Sequence, residues 1–129
     1  LAAMAQGIWR TRAEARSLVC IDARMGEVFW AAYEIREELA ELIGEERLSE
    51  PGAVAWTNAG SWGAVGSGFE VYETILADAL AEAGSIHASF RPSATDLLPR
   101  ALADLRRGKT QLAQGATPGY LRDETAWQN

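Results

Sequence analysis

The chain has 129 residues, of which 48% are hydrophobic and 23% are charged; this composition excludes intrinsic disorder and predicts about one domain with its own core. Twelve Lys and Arg against 18 Asp and Glu give a net charge of -6, so direct binding to nucleic acid is not expected. No apolar stretch is long enough to cross a bilayer and no export signal is visible, so we expect a soluble, cytoplasmic protein without membrane contact.

The first segment, residues 1–13, has the pattern of a helix that lacks an N-cap. This predicts that the chain is the C-terminal part of a longer protein. Leu1, Met4, Ile8 and Trp9 are spaced to share one apolar stripe. We expect that stripe to be exposed in the isolated chain and to make it self-associate, as a two-fold dimer through this helix.

Two strand patterns follow, at residues 17–22 and 27–34, both rich in β-branched and aromatic side chains. The four residues between them end in Gly26, which can supply a positive φ, so the pair predicts a β-hairpin. The next segment, residues 34–48, has apolar residues at helical spacing, so its pattern by itself favours a helix.

Strands and helices then alternate. Ser49 before Glu50-Pro51 predicts a short helix to about Asn58, and residues 62–66 predict a buried strand. Ser67 as N-cap and Glu70 three residues later form the pattern of a capping box. The helix predicted after it carries an apolar stripe as far as residue 83, and Gly84 stands where a C-terminal cap would lie.

The remaining chain predicts one more strand, one more helix and a tail. Residues 86–90 form the strand pattern, and Ser93 or Thr95 can cap the helix that ends at Gly108. The stripe of that helix consists of Leu98, Ala101, Leu102 and Leu105. Residues 111–129 are expected to be an extended or irregular C-terminal tail.

Gly66-Ser67-Gly68 is the place where backbone amides at a strand-to-helix junction could hold a phosphate. The loop matches neither common phosphate-loop pattern, and Glu70 and Glu73 would repel an anion. Ser67 is needed as the helix cap. A structural role is therefore favoured for this loop.

The other reactive side chains also favour structural roles. His87 is the only histidine and Cys20 the only cysteine, and neither has companions at metal-ligand spacing. Asp22 and Arg24 are a pair that more often fixes a hairpin turn than performs chemistry. The cations near the last helix favour a solvated face; they are Arg100, Arg106, Arg107 and Lys109. We therefore assign no catalytic, cofactor-binding or metal-ligating residue.

Six collinear blocks resemble the second half of the TsaB (YeaZ) family of bacterial tRNA threonylcarbamoyladenosine biosynthesis subunits. The blocks are Met4–Arg10, Ile21–Trp30, Gly44–Glu46, Gly66–Gly68, Ala94–Pro99 and Pro118–Arg122, and the second, Ile-Asp-Ala-Arg-Met-Gly-Glu-Val-Phe-Trp, is specific. The resemblance implies an α/β, actin-like or RNase H-like domain, with a mixed β-sheet and helices on its faces. It also implies a third strand near residues 40–48, against the helical pattern there.

The resemblance further implies that residues 1–129 form the second domain, with residues 1–13 as a connecting helix. Such a subunit is non-catalytic and needs no cofactor. It works with the catalytic subunit TsaD and the ATPase TsaE to place a threonylcarbamoyl group on N6 of adenosine 37 in tRNA. The alternatives are a domain of an actin-like ATP-binding enzyme, such as a kinase, or of a glycoprotease-like metallopeptidase.

Overall fold

The computed structural model describes residues 1–55 and 61–122, which form one five-stranded mixed sheet with helices on both faces. The helices are α1 (Ala2–Arg12), α2 (Gly68–Val71), α3 (Ala77–Ala81) and α4 (Leu98–Arg106). The strands are β1 (Arg16–Arg24), β2 (Glu27–Arg36), β3 (Leu39–Ser49), β4 (Gly63–Val65) and β5 (Ser85–His87). The strand order is β3-β2-β1-β4-β5, with the first three strands antiparallel and β4 and β5 parallel to β1.

The predicted hairpin is confirmed. β1 pairs with β2 from Arg16 opposite Glu34 to Arg24 opposite Glu27. Its turn uses Gly26 at φ +78°, as expected, and also places Arg24 and Met25 at positive φ. A left-handed backbone at adjacent residues matches the twist of a two-stranded ribbon.

Residues 39–49 form the third strand that the family resemblance implies, and the helical pattern of this segment is misleading. Glu37 and Glu38, both at positive φ, make a tight turn that returns the chain antiparallel to β2. Gly44, at φ +78°, lies in a bulge where residues 44–46 of β3 face one residue of β2. The helix-like spacing arises because the segment crosses the turn: Ile35 belongs to β2 and Leu39 to β3, so the two residues do not lie on one continuous element.

The long helix predicted after Ser67 is wrong as a continuous element. α2 ends where Tyr72 leaves helical geometry at φ −117°, and α3 begins only at Ala77. The hydroxyl of Tyr72 donates a hydrogen bond to Asp22 Oδ1 at 3.1 Å. This contact with β1 accompanies the break. The apolar stripe still points inward at Leu76 and Ala79.

Two smaller predictions for the same half of the chain are also wrong. Only a 3-10 turn, Pro51–Ala53, follows Glu50, because Val54 is already extended; the expected end near Asn58 lies outside the described residues. Gly84 does not cap a helix through a left-handed backbone. It lies where an added Cβ would overlap the Ser61 hydroxyl, and its amide donates to the Trp62 carbonyl at 2.8 Å.

Three later predictions are confirmed: the buried strand β4, the strand β5 and the last helix, α4. β4 is completely buried, and β5 covers the first part of the pattern predicted at residues 86–90. Ser93 Oγ accepts from the Thr95 amide and caps a 3-10 turn, Ala94–Leu97, that leads into α4. Gly108, at φ +68°, follows the helix end. The tail as far as residue 122 is irregular apart from a 3-10 turn, Ala113–Gly115; residues 123–129 lie outside the described part.

α1 packs on the sheet and does not present the exposed apolar stripe that its sequence predicts. Met4 is 2% exposed and Ile8 is fully buried. They belong to a core cluster formed with strand residues of that face: Val19, Ala31, Tyr33, Ala40 and Val65. The exposed surface on which the expected two-fold dimer depends is therefore wrong, because the sheet of the same chain covers Met4 and Ile8; self-association itself stays a prediction.

Polar contacts also hold α1 in place, from Gln6 within its buried segment and from Arg10 one turn further along. The Gln6 side chain accepts from the Ala40 amide and donates to the Glu38 carbonyl, both at 2.9 Å. Arg10 Nε lies 2.7 Å from Oδ1 of Asp96, a carboxylate that is only 3% exposed. An ion pair between residues 10 and 96 thus joins the first helix to the turn before α4.

The opposite face of the sheet carries the second core cluster, which α2 and α3 cover. Its buried residues are Leu18, Cys20, Val28, Trp30, Ala64, Phe69, Leu76 and Ala79. Among the helices of the described ranges, none is both long and apolar enough to span a bilayer.

Candidate functional sites

The loop at residues 66–68, between β4 and α2, lies directly against β1. At Gly66, where φ is +111°, an added Cβ would lie 2.5 Å from the backbone oxygen of Cys20. At Gly68 it would lie 2.5 Å from the Cys20 sulfur. Both positions therefore require glycine because the loop backbone approaches the strand so closely. This geometry accounts for the two glycines without a phosphate.

Ser67 does not form the predicted capping box. It occupies the N-cap position but takes helical φ and ψ, and its side chain makes no bond to the helix amides. Its hydroxyl instead accepts from the backbone amide of Asp22 at 3.2 Å. Glu70, the other half of the expected box, is exposed and lies 3.9 Å from Arg91. Because Ser67 joins α2 to β1, it fixes the position of the helix rather than its first turn.

Asp22 is the centre of a small polar network at the hairpin. Its Oδ1 accepts from the Arg24 amide at 2.9 Å and from the Tyr72 hydroxyl at 3.1 Å, and its Oδ2 lies 3.3 Å from the exposed Arg24 guanidinium. Partial burial and the bond to Asp22 raise the pKa of Tyr72. These contacts match the expected role of the Asp22–Arg24 pair in fixing the turn.

Cys20 is fully buried in β1, and burial raises the pKa of its thiol to about 12. A thiol must lose its proton to attack an electrophile or bind a metal. The side chain is therefore an apolar packing element at neutral pH, as its flanking residues predict.

His87 lies on β5, half-buried, with Nε2 3.3 Å from Glu14 Oε1. The same carboxylate oxygen accepts from the Ser85 hydroxyl at 2.6 Å. These contacts connect β5 to the segment between α1 and β1. In residues 1–55 and 61–122, no group of three or more His, Cys, Asp and Glu side chains could hold a metal ion.

The cations of the last helix are not all solvated, contrary to the expectation from the sequence. Arg100 donates to the Ala40 carbonyl at 2.9 Å and to Glu41 Oε1 at 2.8 Å. Arg107 lies 3.9 Å from Glu37. Arg100 therefore fastens α4 to the edge strand β3, which a single sequence cannot reveal because the contact joins residues 60 positions apart.

A groove of about 630 Å³ lies between the hairpin turn, the start of α1 and the tail, and sequence analysis does not predict it. Its apolar lining residues are Leu1, Ile21, Ala23, Met25, Phe29, Tyr120 and Leu121. Concave sites with mostly apolar walls and few polar groups are suited to binding rather than to chemistry.

Arg122 holds the tail side of this groove. Its side chain is 10% exposed, and its guanidinium donates to Glu27 Oε2 at 2.6 Å and to the Ala23 carbonyl at 3.1 Å. The only signal for it in the sequence is the block Pro118–Arg122, which belongs to the family resemblance. Nothing in that block indicates that its last residue returns to the hairpin.

Comparisons with known proteins agree with the fold. No protein-family model matches the chain. It is 38% identical to the tRNA threonylcarbamoyladenosine biosynthesis protein TsaB of Escherichia coli K12, over 99% of the chain and 57% of that protein. The chain thus spans little more than half the length of this curated relative.

Two solved structures from Pseudomonas aeruginosa are also similar, each at 33% sequence identity. One is described as an uncharacterized protein with similarity to peptidase YeaZ; its TM-score is 0.82, and the match covers 95% of this chain and 56% of that one. The other is YeaZ, with a TM-score of 0.80 and coverage of 94% and 56%. Sequence and fold therefore agree: the chain resembles TsaB (YeaZ) proteins over nearly its whole length and has their actin-like, RNase H-like fold.

Proposed function

We propose that the chain is the second domain of a non-catalytic TsaB-like subunit that acts in threonylcarbamoylation of adenosine 37 in tRNA. The observation that carries this proposal is the 38% identity to E. coli TsaB over 99% of the chain. Residues 1–13 then correspond to the helix that connects the two domains, and residues 111–129 to the tail.

A non-catalytic role is supported by how the reactive groups are used. The Cys20 thiol is buried, the Ser67 hydroxyl accepts a hydrogen bond from the backbone, and the Asp22 carboxylate stabilises the hairpin. His87 pairs with Glu14. A nucleophile and its base need to lie within hydrogen-bond reach of each other and face a substrate. These four side chains make structural contacts instead.

The partners in this proposal are a TsaD-like catalytic subunit and a TsaE-like ATPase. A net charge of -6 disfavours direct contact with the tRNA backbone, so the chain serves the reaction through protein contacts. The groove beside Arg122 offers a concave apolar surface for such contacts, and the exposed Tyr120 at its rim is typical of interface residues.

The test is a chimera in which this chain replaces the matching stretch of E. coli TsaB, produced in E. coli cells depleted of their own TsaB. We expect threonylcarbamoyladenosine in bulk tRNA, measured by mass spectrometry of the nucleosides, to return to a large fraction of the normal amount. A chimera that is expressed and folded but restores none of the modification would contradict the proposed function.

The non-catalytic role is tested in the same cells with Asp22→Asn and His87→Gln, each matched by Arg91→Gln at an exposed surface position. We expect all three variants to restore modification to the same extent. Abolition of the modification by Asp22→Asn or His87→Gln in a folded chimera would indicate a chemical role. Hydrolysis of ATP or of a peptide by the purified chain, reduced by the same variants, would favour the kinase-like or peptidase alternative.

A further inference from the structure

The last helix, α4, has its apolar side turned away from the domain. Leu98, Leu102 and Leu105 are 57%, 51% and 63% exposed, and Leu97, just before the helix, is 53% exposed. We call these four residues the leucine face. The half-buried side of α4 consists of Pro99, Arg100, Ala103 and Asp104, and no residue of the helix is buried.

A helix that its own domain stabilises turns its apolar side toward the core, whereas α4 turns its apolar side outward. A helix of nine residues is only marginally stable in water, and most helical stability in proteins comes from packing of an apolar face. α4 is held to β3 mainly by the contacts of Arg100, at the side opposite the leucines. Its apolar face is thus left for another surface to cover.

We propose that the leucine face packs against the part of TsaB-like proteins that this chain does not span, and so forms an interface between their two domains. This inference rests on the proposed two-domain organisation. The E. coli relative has 43% of its length outside the match, which is enough for a second domain. α1, whose apolar stripe the sequence predicts to be exposed in the isolated chain, offers no such face because Met4 and Ile8 are buried against the sheet.

The size and charge of the leucine face favour this occupant over a second copy. Four leucines on a short helix offer less apolar area than a stable dimer interface requires, whereas covalently joined domains associate at high effective concentration. Parallel packing of two copies of α4 would also bring Arg106 and Arg107 of one copy next to the same residues of the other.

The proposal is tested by amide hydrogen exchange and thiol labelling, measured on the isolated chain and on the chimera with E. coli TsaB. In the isolated chain we expect fast exchange in α4 at all protein concentrations. In the chimera we expect α4 to exchange at least tenfold more slowly, and a cysteine introduced by Leu102→Cys to be labelled at least tenfold more slowly. Neither readout depends on tRNA modification, so they can fail while the proposed function holds, and the reverse.

Two variants provide the comparison within the chimera. Leu102→Glu is expected to restore fast exchange in α4, while Leu112→Glu, at an 80% exposed position beyond the helix, leaves the protection unchanged. Equal exchange of α4 in the chimera and the isolated chain would overturn the proposal. So would protection that grows with the concentration of the isolated chain, because it would identify a second copy as the occupant.

If fast hydrogen exchange of the β1 amides shows that the chimera is unfolded, the unmatched part of E. coli TsaB is made as a separate polypeptide. It is mixed with the isolated chain at concentrations up to about 1 mM, because two-domain contacts rely on effective concentrations of that order. Protection of α4 that is lost in Leu102→Glu supports the proposal, and absence of protection at the highest concentration overturns it.

Discussion

Gly66→Ala is expected to be among the most damaging single substitutions in the chain. The added Cβ would lie 2.5 Å from the Cys20 backbone oxygen and 3.1 Å from both Ile21 Cγ2 and Met4 Cε. The nearest atom belongs to the backbone of β1, a central strand paired on both sides, so it cannot move aside without disturbing the sheet. The residue also has φ +111°, which L side chains rarely adopt.

The two effects can be separated by a matched substitution. Gly44→Ala also places a side chain at positive φ, +78°, but its Cβ would meet no atom within 4 Å. A left-handed alanine costs about 1–2 kcal/mol, and this is the whole expected loss at position 44. At position 66, backbone strain of about 1–3 kcal/mol adds to overpacking of about 1–3 kcal/mol, so the expected loss is about 2–6 kcal/mol.

Urea unfolding followed by tryptophan fluorescence measures both losses. With m of about 1–3 kcal/mol/M, a loss of about 4 kcal/mol lowers the midpoint by more than about 1 M. Far-UV circular dichroism checks that each variant is folded before denaturant is added. If Gly66→Ala loses no more stability than Gly44→Ala, the close packing of the loop on β1 is wrong.

Three further predictions concern single contacts. Ser67→Ala should reduce the free energy of unfolding by about 1–3 kcal/mol, because the Asp22 amide loses its acceptor. Glu70→Ala should change it by less than about 0.5 kcal/mol. If urea unfolding shows an equal effect of both substitutions, the two residues act together as a capping box. Cys20 should react only slowly with a thiol reagent at pH 8, because burial keeps its thiol protonated. The pKa of Cys20 is about 12 in the folded chain and near 9 in the unfolded chain. Its contribution to stability is therefore present below pH 9 and is lost as pH rises from 9 to 12. Cys20→Ala should therefore show a shallower loss of stability over that range in unfolding measured at several pH values, and an unchanged slope would contradict the assignment. Arg122→Met should make limited proteolysis of the tail faster, because its contacts with the hairpin are removed; an unchanged cleavage rate would show that these contacts do not hold the tail.

Local patterns predict the part of the fold that depends on neighbouring residues. The hairpin follows from two strand patterns around Gly26, and the buried strand β4 from its apolar run. The helix after Ser67 is interrupted at Tyr72, which contacts Asp22, 50 residues earlier in the chain. The helix-like pattern of residues 34–48 runs across the turn between β2 and β3. Both errors arise from contacts that periodicity does not encode.

The candidate sites show the same division. The structural roles of Cys20 and Asp22 could be predicted from their flanking residues and their position in the hairpin. The groove beside Arg122 could not, because it is formed by segments about 95 residues apart. Nor could the exposure of the leucine face be predicted. An apolar stripe shows that one side of a helix is apolar, but it does not show whether that side faces the core or the solvent.

The ion pair between Arg10 and Asp96 affects how the domain is completed during synthesis. α1 and the three antiparallel strands leave the ribosome before the rest of this domain and can pair locally, but the carboxylate that pairs with Arg10 follows 86 residues later. Chains are made at about 5–20 residues per second, so α1 waits several seconds for its last partner. A nascent chain that stops before residue 96 would retain its meander of strands while one end of its first helix stayed unfastened.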